Sequence, residues 1–354
     1  MRFARIGFFR MGRLFATACF CFLALLVAAF FLTSRASPLA ALPKAAPRAL
    51  AIDVVAQPLA PLGGRSASDQ QSYGKLEWIG GLKLSSDEPA FGGFSGLAFL
   101  DREHFVAISD RGSVLSAKLA LKDGRPVAIT DASMRMLPGI GAELPQWRRD
   151  SEGLALKDGQ AFVSFEGDTR VTRYSMQGNA LLRLEGRLPL NAEIEAANQA
   201  NRGLEAIATI PDSSPYAGGF VLLSEKPQDG KIVGWIVGSG APKRFSLPQS
   251  GELLASDAAF TQQGDLIILE RNFSLLGGLE VQLRQIDAKD FRAGDMTRSD
   301  LLFRANLGDG IDNMEALDIQ PMGEGDSLVT LMSDDNFNFI QDTILLQFRL
   351  PAQP

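Results

Sequence analysis

From residue 73 onward the chain alternates short apolar stretches with Gly, Asp-Gly and Pro, the texture of short strands joined by tight turns. No apolar stripe of helical period runs longer than about two turns. The best helical stretch, residues 191–202, reads as an insertion in a loop. Five times a polar residue, then Gly or Ala, opens a strand: Ser95-Gly96-Leu97, Glu152-Gly153-Leu154, Glu205-Ala206-Ile207, Asp257-Ala258-Ala259 and Glu315-Ala316-Leu317. Their spacings are 57, 53, 52 and 58 residues. After each comes a turn and a strongly apolar strand that runs into an acid: Asp110, Glu166, Glu225, Glu270 or Asp334.

About four short strands per fifty-residue unit, with no helices between them, predict an all-β propeller with four-stranded blades. Counting units favours five blades; a sixth, divergent blade is the alternative. A barrel of about eight to twelve strands leaves the length of the repeats unexplained. The last unit runs out of chain after three strands. Residues 75–84 (KLEWIGGLKL) precede the first unit without a partner, so they are expected to supply the missing outer strand and close the ring.

The N-terminus has a different pattern. Residues 1–13 carry four arginines and no acid, residues 15–32 are uncharged and apolar, and Ser34-Arg35-Ala36 fits a signal-peptidase site. Residues 1–36 are therefore expected to be a signal peptide or an uncleaved membrane anchor. Both leave the rest outside the cytoplasm, periplasmic or secreted, or held at the inner membrane by the anchor. Residues 37–72, rich in Ala, Pro, Ser and Gly, read as a linker, and residues 73–354 as the propeller.

Composition narrows the chemistry. Cys19 and Cys21 both lie in the apolar run, so the exported part has no disulfide and no thiolate chemistry. His104 is the single histidine and sits in a polar turn, which argues against a Ser-His-Asp triad and multi-histidine metal sites. Removing residues 1–36 removes five arginines and no acid, taking the formal charge from −6 to −11. That balance disfavours nucleic acid and suits cations. Membrane contact is expected only through the N-terminal segment.

In a propeller, the start of each blade's first strand meets the end of its second. Ser95 with Asp110, Glu152 with Glu166, Glu205 with Glu225, Asp257 with Glu270 and Glu315 near Asp334 are thus expected at one mouth of the channel. Facing like charges repel and need a bound cation, interleaved bases or raised carboxyl pKa values. Each acid alone is explained as a cap on a strand end. Recurrence in five units favours a site, and oxygen ligands favour calcium over zinc. Gly93-Phe94-Ser95-Gly96 approaches a nucleophile elbow but lacks its last glycine and any histidine base, so it reads as a turn. The three tryptophans read as packing residues.

The motifs FSGLAF, ISDRG, RRDSEGLAL, FEG, NRGLEAIA, LLSEK, DAAF, LER, DNMEAL and SDDNFN, in this order from Phe91 to Leu350, resemble the phytase-like family ("esterase-like activity of phytase"). The resemblance implies an exported bacterial β-propeller that hydrolyses phosphate or other esters. It also places family motif residues on Asp110, Arg111, Asp150, Glu152, Glu166, Arg202, Glu205, Glu225, Glu270, Arg271, Glu315 and Asp334. The expected function is hydrolysis of a small ester or phosphorylated substrate at a divalent cation, calcium favoured. Glu152, Glu205, Glu315 and Asp334 are the expected cation ligands. Arg111, Arg202, Lys226 and Arg271 are expected to bind phosphoryl oxygens, with Asp110, Glu166, Glu225 or Glu270 as catalytic carboxylate. A non-catalytic propeller with a structural ion and a small ligand or envelope partner is the alternative.

Overall fold

A computed structural model describes residues 47–64, 72–141, 143–198, 203–274 and 278–352, all within one compact unit, Pro43–Pro354. The expected signal or anchor segment lies outside the described residues. Among those described, no helix is long and apolar enough to cross a membrane.

The chain begins with β1 (Leu50–Ala51), β2 (Val55–Pro58), β3 (Ser72–Tyr73) and β4 (Leu76–Ser85). Blade one is β5 (Phe94–Phe99), β6 (His104–Ser109), β7 (Ser113–Lys122) and β8 (Arg125–Met136). Blade two is β9 (Ser151–Lys157), β10 (Gln160–Phe165), β11 (Arg170–Gln177) and β12 (Ala180–Leu188). Blade three is β13 (Leu204–Thr209), β14 (Phe220–Ser224), β15 (Lys231–Val237) and β16 (Lys243–Pro248). Blade four contains β17 (Leu254–Phe260), β18 (Leu266–Ser274) and β19 (Gly278–Ile286). Next, β20 (Gly294–Asp295) joins β16 in parallel, and β21 (Asp300–Asn306) completes blade four. Blade five is β22 (Met314–Pro321), β23 (Ser327–Ser333) and β24 (Thr343–Leu350), with β4 as its outer strand.

The protein is therefore a five-bladed propeller, closed as the unpartnered N-terminal strand predicted. The closure is a full antiparallel ladder, Thr343 opposite Leu84 through Arg349 opposite Glu77. It sets Trp78 against Phe348, ring centroids 5.4 Å apart, with Tyr73 and Phe303 beside them. Burying a large apolar side chain contributes roughly 1.5–3 kcal/mol, so this corner ties the two ends of the domain firmly. Each of five buried apolar clusters lies between two neighbouring blades rather than at one centre.

Two expectations change. Residues 50–58 were read as linker, yet β1 pairs with β8 and β2 with β4. Ile52, Val54 and Ala56 pack on the interface of blades five and one. Their period of two was masked by the Ala- and Pro-rich composition around them. The helix of residues 191–202 is shorter among the described residues: α2 covers Ala192–Ala197, capped by Asn191 Oδ1 accepting the Ile194 amide at 3.0 Å. The earlier helix α1 (Gln146–Arg149) is a single turn at the blade one to two crossing.

Candidate functional site

The five inner strands share one irregularity. Each ladder carries a β-bulge near its start, between Phe94 and Gly96, opposite Ser164, between Leu204 and Ala206, between Ala255 and Asp257, and between Met314 and Ala316. The inserted residues are Ser95, Glu152, Glu205, Ser256 and Glu315. A bulge re-aims one side chain, and here one falls on a polar residue near the start of every inner strand. In blades one and two the residue that follows is a glycine, required by the crowding of neighbouring inner strands. A Cβ on Gly96 would lie 2.9 Å from the Glu152 carbonyl oxygen, and one on Gly153 would lie 2.8 Å from that of Glu205.

The residue just past each second strand joins the bulge residue at the mouth: Asp110, Glu166, Glu225 and Asp334 in blades one, two, three and five. Blade four differs. There Ala255 faces Glu270, and Leu254 faces Arg271, with Asp257 opposite Leu269. The fourth motif is thus one residue out of step: Ser256 is the bulge residue, Arg271 takes the mouth position and Glu270 points the other way.

Glu270, expected as a catalytic carboxylate, is instead completely buried inside blade four, where Arg284 forks onto it and Gln282 donates to it. Its role is a satisfied internal ion pair. Asp257 is likewise removed from the mouth and accepts the amides of Leu317 at 2.7 Å and Ala258 at 2.8 Å, pinning blade four to blade five. The sequence aligned acid with acid, whereas the backbone aligns bulge with bulge; Ser95 was the signal that a serine can occupy the bulge.

The remaining acids converge. One oxygen each of Asp150, Glu152 and Glu166 lies within 4.8 Å of the others, and the same holds for Glu166, Glu205 and Glu225. Glu166 belongs to both groups. Glu152 and Glu205 are 9% and 6% exposed, and no hydrogen bond joins either carboxylate to another described residue. Asp150 is set by the end of α1, its amide bonded to the Gln146 carbonyl at 3.0 Å.

Burial, followed by the charges of Glu205, Asp150, Glu315 and Glu166, holds Glu152 well above the usual carboxyl range. Burial, then Glu225 and Glu166, does the same to Glu205 against the opposing pull of Arg271. Asp150 is pushed up to about 7 by burial and then Glu166. Asp334 rises to about 8 through burial and Glu315, and Asp110 to about 6 through burial. Glu225 is also raised, chiefly by burial.

Positive groups are interleaved with these acids. Arg271 Nη2 binds Glu315 at 2.8 Å. Burial alone would lower its pKa, but Glu315, Glu205, Glu225 and Asp334 together raise it. Glu315 also accepts from Asn313 Nδ2 at 2.7 Å, and Asp334 from the Asn336 amide at 2.6 Å. These two expected cation ligands are therefore already engaged, unlike Glu152 and Glu205. The Arg111 guanidinium lies 3.4 Å from the centre of the Phe337 ring. Lys226 lies close enough to lower the pKa of Glu225. Arg202 lies outside the described residues.

His104 is exposed and bonds Asp101 at 2.8 Å. Trp78 and Trp235 are buried as expected, but Trp147 is 44% exposed on α1 at the acidic end, so it is not a packing residue. The opposite end of the inner strands has another character. A cavity of about 190 Å³ is lined there by Leu154, Leu156, Ile207, Phe260, Ile319 and Asp318, whose carboxyl burial pushes up to about 7.

The family model of the phytase-like family, described as "Esterase-like activity of phytase", matches residues 89–337. The chain belongs to the phytase-like family. No curated protein sequence matches this phytase-like chain. Solved structures similar to it include a PQQ-bound aldose sugar dehydrogenase from Streptomyces coelicolor, 13% identical, covering 84% of this chain and 98% of that one, TM-score 0.42. A glucose dehydrogenase is 10% identical over 78% of this chain and 99% of that one, TM-score 0.39. Hydrazine synthase from Kuenenia stuttgartiensis is 12% identical over 70% of this phytase-like chain and 57% of that chain, TM-score 0.35. At these scores the likenesses carry no functional argument.

Proposed function

We propose that this phytase-like propeller is an exported hydrolase of small phosphate esters that works with a divalent cation at the acidic mouth. The observation that carries the reading is the shared pair of carboxylate groups, Asp150–Glu152–Glu166 and Glu166–Glu205–Glu225, with two members deeply buried and without hydrogen-bond donors among the described residues. Uncompensated buried carboxylates are costly, and an all-oxygen donor set fits a hard cation, calcium before zinc. These five acids would hold it. When bound, such a cation supplies charge neutralisation and Lewis-acid polarisation of an ester oxygen.

The chain's own residues do the rest. Arg271, fixed by Glu315, offers the forked donors that suit phosphoryl oxygens. Arg111 and Lys226 add positive charge at the rim. Asp110 stands outside both carboxylate groups, and its raised pKa of about 6 leaves it basic at neutral pH yet able to take a proton. It is the fitting general base for an attacking water. The arginine-rich, apolar N-terminus supports export to the periplasm or beyond, or attachment to the inner membrane.

The test is thermal unfolding after chelation, with calcium, magnesium or zinc added back, alongside a screen of phosphomonoesters and uncharged esters. A ligand of the folded state at a hundred times its Kd adds about 2.7 kcal/mol. The expected result is a large calcium-specific shift and release of phosphate that Glu152→Gln abolishes without unfolding the domain. No shift with any cation would sink the cation-dependent reading. A shift without turnover of any ester would favour a structural ion in a binding propeller.

A further inference from the structure

Large apolar side chains left in water are unevenly placed on this propeller. The four most exposed among the described residues are Phe339 at 98%, Ile340 at 73%, Phe273 at 66% and Leu307 at 58%. All four lie at the acidic end. Phe273 belongs to the β18–β19 hairpin, which runs three residue pairs past Arg271. Leu307 follows Asn306, the last residue of β21, which stands opposite Glu280 near the start of β19. Phe339 and Ile340 lie between Ser333, where β23 ends opposite the start of β22, and Thr343, where β24 begins. At the far end no such side chain is more exposed than Leu301, at 49%. Single exposed apolar residues are ordinary, whereas apolar groups concentrated on one face mark a contact surface.

The loop that carries Phe339 and Ile340 is held in place. Asp335 Oδ1 accepts the amides of Gly93 at 2.9 Å and Phe337 at 3.0 Å. Asp312 Oδ2 accepts the amide of Asp342 at 2.8 Å. Asn336 and Phe337 have φ of 49° and 48°, a region costly for a bulky residue. The Phe337 ring packs on Arg111, while the next two apolar side chains project into water. The tip is thus fixed outward instead of folding back onto the protein.

The point where the chain enters the propeller indicates what covers this face. Leu50 of β1 pairs with Met134, close to the mouth end of β8 at Met136. Val55 of β2 pairs with Ser85, the last residue of β4, at the same end. The residues ahead of the propeller therefore join it from the acidic side. They include the uncharged apolar run 15–32, expected to enter a membrane. The acidic mouth disfavours an anionic surface, so apolar insertion into zwitterionic lipid has to supply the binding.

We propose that the acidic face of the propeller docks on a lipid bilayer through Phe273, Leu307, Phe339 and Ile340. The sequence placed membrane contact in the N-terminal segment alone, and this face adds a second contact. The proposal goes beyond the hydrolase reading and does not depend on it. Aromatic and aliphatic tips bury at the boundary of headgroups and acyl chains, with the polar groups beside them left at headgroup level.

The experiment places the full chain on phosphatidylcholine vesicles, with Phe339→Trp as a fluorescent reporter at the tip and Leu100→Trp at the far end. Each is read against wild type, whose three tryptophans supply the background. The added emission of Phe339→Trp should shift to the blue and lose most of its intensity when the acyl chains are brominated. That of Leu100→Trp should do neither. Adding Phe273→Ser and Ile340→Ser to Phe339→Trp should remove most of the quenching, because binding scales with the apolar area inserted. Absence of quenching in Phe339→Trp, on vesicles that carry the chain, overturns the proposal and returns the tips to a protein partner. Equal quenching at both ends, or quenching that survives the two serine substitutions, overturns it as well. No readout uses turnover, so failure of the hydrolase reading leaves the docking result standing.

Discussion

Two buried glutamates, one inside blade four and one at the channel mouth, separate structure from site. Glu270 and Glu205 are both nearly or wholly removed from solvent. Glu270 is met by Arg284 and Gln282, so its charge is answered within its own blade. Glu205 faces Glu225 and Glu166, is relieved in part by the charge of Arg271, and carries a raised pKa from burial and those acidic neighbours. A buried charge that is fully paired holds a fold together only in the sense that neither partner can be removed alone. One that is left short of donors keeps its capacity for something outside the chain.

Breaking the paired side should have the largest effect. Glu270→Ala leaves Arg284 buried without its counter-ion, which typically costs about 3–5 kcal/mol. Urea unfolding should show that loss equally with and without calcium; a calcium-dependent loss would return Glu270 to the site.

The unpaired side should respond to pH. Asp110, Asp150 and Asp334 have folded pKa values of about 6, 7 and 8. They bind protons more tightly folded than unfolded, so stability declines as pH rises from about 4 to about 8 in the metal-free protein. Calcium should flatten that decline. Chemical denaturation across that pH range after chelation measures it; a stability that rises with pH would contradict the shifts.

The smallest change sharpens the contrast. Glu205→Gln removes one repelling charge and should stabilise the metal-free protein by about 1 kcal/mol. In the same protein the calcium-induced rise in Tm should shrink or vanish. A loss of stability in both states would mean Glu205 has a structural partner.

Much of this was legible in the chain because it repeats. Period-two apolar strands at near-constant spacing revealed the blades, and the missing fourth strand of the last unit was traceable to residues 75–84. Glu152, Glu166, Glu205 and Glu225 could be paired from strand ends alone, since in those blades the acids sit in equivalent places. Residues 50–58 were missed because their alternation is short and set among Ala and Pro. Trp147 was misread because its exposure depends on the crossing turn α1, which no periodicity encodes.

Blade four marks the boundary between the two kinds of information. Sequence determined that the protein is a ring of four-stranded units, five favoured over six, with acids recurring at strand ends, because burial demands a repeating apolar pattern that can be read without coordinates. Which acid faces the channel was decided by the bulge. Side chains alternate faces along a strand, so one residue of register exchanges inside for outside. That single step buries Glu270 on Arg284, sends Asp257 to the backbone of blade five, and brings Arg271 to the mouth acids. A bulge is set by how neighbouring inner strands crowd around the channel, and that crowding exists only once the ring has closed.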